Sequence, residues 1–173
     1  MNHTTAIVAL SAIVAMATPS AAIAGSPDPE FTGSCRFAGE VTFSPALTTT
    51  PRAGKGSAQA TGTCTGTVDV GGRTVEVNRA PSTYRAQNSS PTMSCQGGRA
   101  DGSGVLTIAD TRIGFDLVET RTGGASVLRL IGTNLVGTAN IEPSAGVDAV
   151  RQCTERGLKS APIAISLTST TLG

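Results

Sequence analysis

The chain has 173 residues, a formal net charge of +1, 3% aromatic residues, no Trp, four cysteines and a single histidine. So sparse and balanced a charge argues against a nucleic-acid partner or an electrostatic hold on a membrane surface. Since the one imidazole, His3, lies in a segment that reads as removable, the ordinary forms of Ser-His-Asp and Cys-His catalysis are excluded from the remainder.

Residues 1–24 read as a signal peptide. An apolar run from Ala6 to Ala17, too short to span a bilayer, leads through Thr18-Pro19-Ser20 to the small triplet Ala22-Ile23-Ala24, which places cleavage after Ala24. No Lys or Arg precedes the run; the terminal amine and His3 stand there instead. Cys35 follows Thr32-Gly33-Ser34, which is not a lipidation context, so a free, secreted, extracellular protein without a membrane span is expected. Its 149 residues suit one domain: a flexible segment over 25–32 and a single β domain over 33–173. Eleven of the thirteen basic residues are Arg, and Ala, Gly and Thr abound, a composition that a GC-rich bacterial genome produces. Cys35, Cys64, Cys95 and Cys153 all lie in the exported part, with no C-x-x-C pair, which predicts two disulfides and no metal site.

The first predicted strand, Cys35 to Phe43, alternates Cys35, Phe37, Gly39, Val41 and Phe43 against polar neighbours. A loop over Ser44 to Gly56 is expected next. From Ser57 to Val70 the even positions, Ala58 through Val70, are small and apolar and the odd ones wholly polar. Gly71-Gly72 then supplies the positive φ of a two-residue hairpin, pairing Val70 with Arg73, Val68 with Val75 and Gly66 with Val77. An antiparallel register that sets Cys35 opposite Cys64 also sets Phe37 against Gly62 and Val41 against Ala58, large against small. The pairing Cys35–Cys64 is therefore expected, leaving Cys95 with Cys153, each bridge contributing roughly 3 to 4 kcal/mol.

Arg79 to Pro91 reads as a second exposed loop. Further strands are predicted at Met93–Gly97, Val105–Asp110, Arg112–Glu119, Ser126–Thr133 and Leu135–Ile141, with a turn at Thr122-Gly123-Gly124. Ser144 is placed to cap a short helix carrying Val147, Val150 and Cys153, stopped by Gly157, and Ile163, Ile165 and Leu167 alternate in a last strand. The expected fold is all-β, an antiparallel β-sandwich or barrel of about 8–9 strands with at most one short helix.

Several chemistries are missing. No Ser stands three residues before Lys55 or Lys159, there is no G-x-S-x-G, and Arg52 to Ser57 lacks the first Gly and the Ser/Thr of a phosphate loop. Asp101-Gly102-Ser103-Gly104 opens like a calcium loop without its later acidic ligands. Asp110, Asp116 and Glu119 lie close in sequence, but Asp116 and Glu119 point to opposite faces of a strand, so a carboxylate hydrolase is only a third reading. No catalytic residue, metal or cofactor is assigned.

Two surfaces remain. Thr61, Thr63, Thr65 and Thr67 form a comb of hydroxyls about 7 Å apart along one strand face. β-Propensity alone accounts for it; the sharper reading is a surface array of the kind that ice-binding or glycan-surface proteins present, interrupted by Arg36, Glu40 and Glu76 beside Thr42 and Thr74. On the other face Ala58, Ala60, Gly62 and Gly66 leave space for Phe37 and Phe43 or for a ligand.

The run Gly33 to Leu47, G-x-C-x-F-x-G-x-V-x-F-x-P-x-L, with Gly62-Thr63-Cys64-Thr65-Gly66, resembles uncharacterised secreted proteins of actinobacteria, a resemblance that implies export and no activity. In composition the chain also resembles the apoproteins that carry enediyne chromophores, but their closely spaced cysteine pairs are not matched and no residue carries over. The first functional reading is a non-enzymatic secreted domain with a surface-binding or structural role, its partner an extracellular protein or glycan. The second is a carrier of a small apolar ligand in the interior.

Overall fold

A computed structural model of the chain describes residues 28–122, 125–132, 135–143 and 146–170. The targeting segment and its cleavage after Ala24, the turn glycines Gly123 and Gly124, the cap Ser144 and the side chains of Val147 and Val150 lie outside the described residues.

Eight antiparallel strands close into a barrel in chain order: β1 (Glu30–Leu47), β2 (Arg52–Val70), β3 (Arg73–Met93), β4 (Gly97–Ile108), β5 (Thr111–Thr122), β6 (Ala125–Ile131), β7 (Val136–Pro143) and β8 (Leu158–Thr170). One helix, α1 (Gly146–Glu155), interrupts the meander before β8 returns to pair with β1. Of the two all-β architectures expected, closure selects the barrel. Alternation dictates which side faces in: Cys35, Phe37 and Phe43 on β1, Ile113, Phe115 and Leu117 on β5, and Ile163, Ile165 and Leu167 on β8 are buried, and the residues between them are mostly exposed. Apolar-in and polar-out is the inverse of the pattern a lipid-embedded barrel requires.

The predicted registers hold. Cys35 faces Cys64, Phe37 faces Gly62 and Val41 faces Ala58; across the Gly71-Gly72 turn Val70 faces Arg73, Val68 faces Val75 and Gly66 faces Val77. Both disulfides are as expected, Cys35–Cys64 with Cα atoms 4.1 Å apart and Cys95–Cys153 with 6.3 Å. The first joins neighbouring strands directly. The second fastens α1 to the β3–β4 turn, at the end of the barrel where Cys95 N also donates to Thr48 O at 2.9 Å. Ten helical residues are marginal alone, so that covalent tie matters to α1. Gly157, at φ +82°, ends the helix in the left-handed conformation that favours glycine.

Gly33 and Gly66 mark a close approach of β1 and β2. They face each other with φ +152° apiece, and a Cβ on Gly66 would stand 2.1 Å from Thr32 O and 2.7 Å from Gly33 Cα. Backbone this close leaves no room for a side chain at either position. One step on, the β2–β3 ladder slips between Cys64 and Gly66 and Arg79 takes φ +50°; its N–H is satisfied by Thr65 Oγ1 at 3.0 Å.

Other boundaries differ from the sequence reading. β1 begins at Glu30, inside the segment expected to be flexible, because Phe31 packs into the core. The expected loop from Ser44 to Gly56 shrinks to four residues, since Leu47 is buried and β1 resumes pairing with β8 past a register shift at the Ser44-Pro45 cis bond. Arg79 to Pro91 is strand, not loop: Ser82, Tyr84, Ala86 and Ser90 point inward between polar residues that resemble turn formers. Met93–Gly97 is the end of β3 and a turn, and β4 starts eight residues before Val105. Val70 and Val75 lie on the apolar face as expected but are 44% and 39% exposed, because the β2–β3 hairpin projects beyond the barrel.

Candidate functional site

The inward residues proposed to face a ligand do line the barrel. Ala58, Ala60, Phe37 and Phe43 are buried, and Gly62 and Gly66 are half-buried. At the level of the small residues the interior is occupied by aromatic rings: Tyr84 lies 5.9 Å from Phe37 and 5.7 Å from Phe115, centroid to centroid. Room for the Phe115 ring comes from Gly104, where a Cβ would stand 2.4 Å from it. Large side chains from β1, β3 and β5 thus meet small ones from β2 and β4. Phe43 sits apart, in a second apolar cluster with Leu47, Met93, Ala100, Leu158 and Ala161 at the end where α1 is tied.

A belt of polar side chains extends inward near this second cluster. Glu119 on β5 is only 3% exposed, although it is a carboxylate. Its Oε1 accepts from Arg121 Nη2 at 2.7 Å and from Ser126 Oγ at 2.6 Å, and its Oε2 accepts from Asn88 Nδ2. The Arg121 guanidinium lies 4.8 Å above the centroid of the Phe43 ring, a cation–π contact that covers its other face. Burial, and after it the charge of Glu119, push the Tyr84 phenol far above its ordinary pKa, so its hydroxyl remains a donor. Both carboxylate oxygens accept from protein donors, which suits a structural anchor better than an acid–base group. Asp116 is exposed on the opposite face and Asp110 sits in the β4–β5 turn, so the three carboxylates do not converge. Among the described residues no group of three or more His, Cys, Asp or Glu side chains could hold a metal ion.

Sequence reasoning missed this belt, yet its signal was present. Glu119 and Arg121 continue the inward phase of Ile113, Phe115 and Leu117, so the alternation itself places a carboxylate and a guanidinium inside.

On the outside, Thr61, Thr63 and Thr65 are exposed and Thr67 half-exposed, all on one face of β2. Barrel closure extends the array beyond that strand. Thr65 lies opposite Ser34 on β1, Ser34 opposite Thr168 on β8, and Thr168 opposite Thr138 on β7, an uncharged row of four exposed hydroxyl residues across four strands. The adjacent row runs Thr63, Arg36, Ser166, Asn140. Strand geometry sets the spacing at about 4.8 Å between strands and about 7 Å between rows. Exposed Arg129 on β6, opposite Thr138, ends the uncharged row at one side, and Arg36 and, beside Thr67, Glu76 stand in the rows next to it. One hydroxyl already has work: Thr65 accepts the Arg79 N–H.

No protein-family model, curated protein or solved structure matches the chain.

Proposed function

We propose that this is an exported, non-enzymatic binding domain that uses the outer face of β7, β8, β1 and β2 to hold an extended hydroxyl-rich polymer, a polysaccharide outside the cell. The observation that carries the reading is the in-register row Thr138, Thr168, Ser34 and Thr65, which offers donors and acceptors at regular spacing on a rigid, doubly disulfide-bonded frame. The rings of Phe37, Tyr84 and Phe115 at the barrel centre favour binding on the outside over carriage of an apolar ligand within. The hydrogen bonds that protein donors make to both oxygens of Glu119 favour binding over hydrolysis.

Co-sedimentation with insoluble cellulose, chitin and peptidoglycan tests the proposal. Replacing Ser166 and Thr168 together by Lys should weaken binding to the polymer that is retained by about thirtyfold, as loss of two hydrogen bonds of about 1 kcal/mol each implies. Asp116→Lys, on the far side of the barrel, should leave it unchanged. Retention of none of the three polymers, or equal loss in both variants, would sink the reading.

A further inference from the structure

Tyr84 is fully buried, yet among the described residues its hydroxyl has no hydrogen-bonding partner, and the same is true of the buried Oδ1 of Asn88. Both residues are on β3, four apart, with Ala86 as the inward residue between them. We infer that the inner polar belt contains a binding site for one water molecule, which joins the Tyr84 hydroxyl to Asn88 Oδ1 beside Glu119.

What remains unpaired defines the ligand. The Tyr84 hydroxyl needs an acceptor and Asn88 Oδ1 needs a donor, while Asn88 Nδ2 is already given to Glu119 and both carboxylate oxygens already accept from protein donors. Water does both at once, accepting from the hydroxyl and donating to the amide oxygen, and so satisfies the pair without adding charge beside Glu119. The size of the occupant is limited by the strands on either side. A Cβ on Gly56 would stand 2.5 Å from Asn88 Oδ1, and one on Gly102 would stand 2.9 Å from Asn88 Cβ, so the asparagine fills the gap between β2 and β4. The Phe37 and Phe115 rings flank Tyr84. A buried water ordinarily makes two to four hydrogen bonds in such a setting, and leaving two buried polar atoms unpaired would be costly.

A crystal structure of the secreted protein at a resolution that shows ordered solvent tests this directly, with the Tyr84→Phe variant beside it. The expected result is a water within hydrogen-bonding distance of both Tyr84 Oη and Asn88 Oδ1, absent or displaced in Tyr84→Phe. A direct bond from the Tyr84 hydroxyl to Asn88 or Glu119 with no solvent between overturns the inference, as does a larger solute at the site. If the variant does not fold, magnetic-resonance cross-relaxation between solvent and Tyr84 in the unaltered protein decides: a long-lived water signal on this ring supports the site, and its absence overturns it.

Discussion

Glu119 and Arg121, two residues apart on β5, turn to the same side of their strand and pair inside the barrel at 2.7 Å, with side-chain exposures of only 5% and 10%. Taking both charges from water offsets much of their attraction, so the pair is weak evidence for net stability and strong evidence for mutual dependence. Arg121→Ala should therefore destabilise the fold by about 3 to 5 kcal/mol, because an uncompensated carboxylate stays buried. The double replacement by Leu should recover part of that loss, since it removes the unpaired charge but leaves Ser126 and Asn88 without their acceptor. Urea unfolding of the three proteins checks this, and a double variant as unstable as the single one would contradict it.

Tyr84 is the chain's one tyrosine, so its ionisation can be followed in isolation. Its folded pKa is raised, by burial first and by Glu119 second. The unfolded chain then loses this proton near pH 10 while the folded one retains it, which gives the native state more bound protons. The stabilisation is fully present below about pH 10 and falls as pH rises further. Alkaline titration should show tyrosinate absorbance appearing together with loss of the fold. Ionisation near pH 10 in a protein that stays folded would contradict the burial.

The two bridges should differ in what their removal releases. By the chain-entropy estimate, loss of Cys35–Cys64 costs about 3.5 kcal/mol and loss of Cys95–Cys153 about 4 kcal/mol. Replacing Cys95 and Cys153 by Ala should raise hydrogen exchange first in α1 and the β3–β4 turn. Replacing Cys35 and Cys64 should instead lower the global unfolding midpoint without singling out α1. Peptide mapping without reduction should find Cys35 joined to Cys64; a Cys35–Cys95 peptide would contradict the fold.

Two glycines in strands should respond oppositely to alanine. Gly66→Ala forces a Cβ against Thr32 O at a φ of +152° and should cost about 2 kcal/mol or more. Gly114→Ala meets nothing within 4 Å at its Cβ and should be neutral or stabilise by about 0.4 to 1 kcal/mol. Thermal unfolding midpoints of the two variants decide.

Local pairing was legible in the sequence wherever alternation and a turn signal coincided. The two glycines after Val70 define the β2–β3 turn, and matching large to small residues set β1 on β2, which also paired the cysteines correctly. Legibility failed where strand residues look like loop residues. Pro81, Asn88, Ser89 and Ser90 hid the second half of β3, and Gly97, Gly98, Gly102 and Gly104 hid the first half of β4, although the core around Tyr84 and Phe115 requires both. The hydroxyl row was invisible beyond β2 for a different reason. Thr168 and Ser34 are neighbours only because the barrel closes, and no local pattern reports a contact between the two ends of a domain.

That closure orders events in time. Cys35 lies opposite Leu167, so the seam between β1 and β8 joins residues that leave the ribosome far apart. The β2–β3 hairpin can form as soon as it emerges, but the first strand must wait with one flank open until the last is available. Contacts of such sequence separation are slow to form. A chain truncated before Leu158 loses more than its final strand: β1 and β7 become two unprotected edges, and the ring opens into a sheet able to recruit other chains.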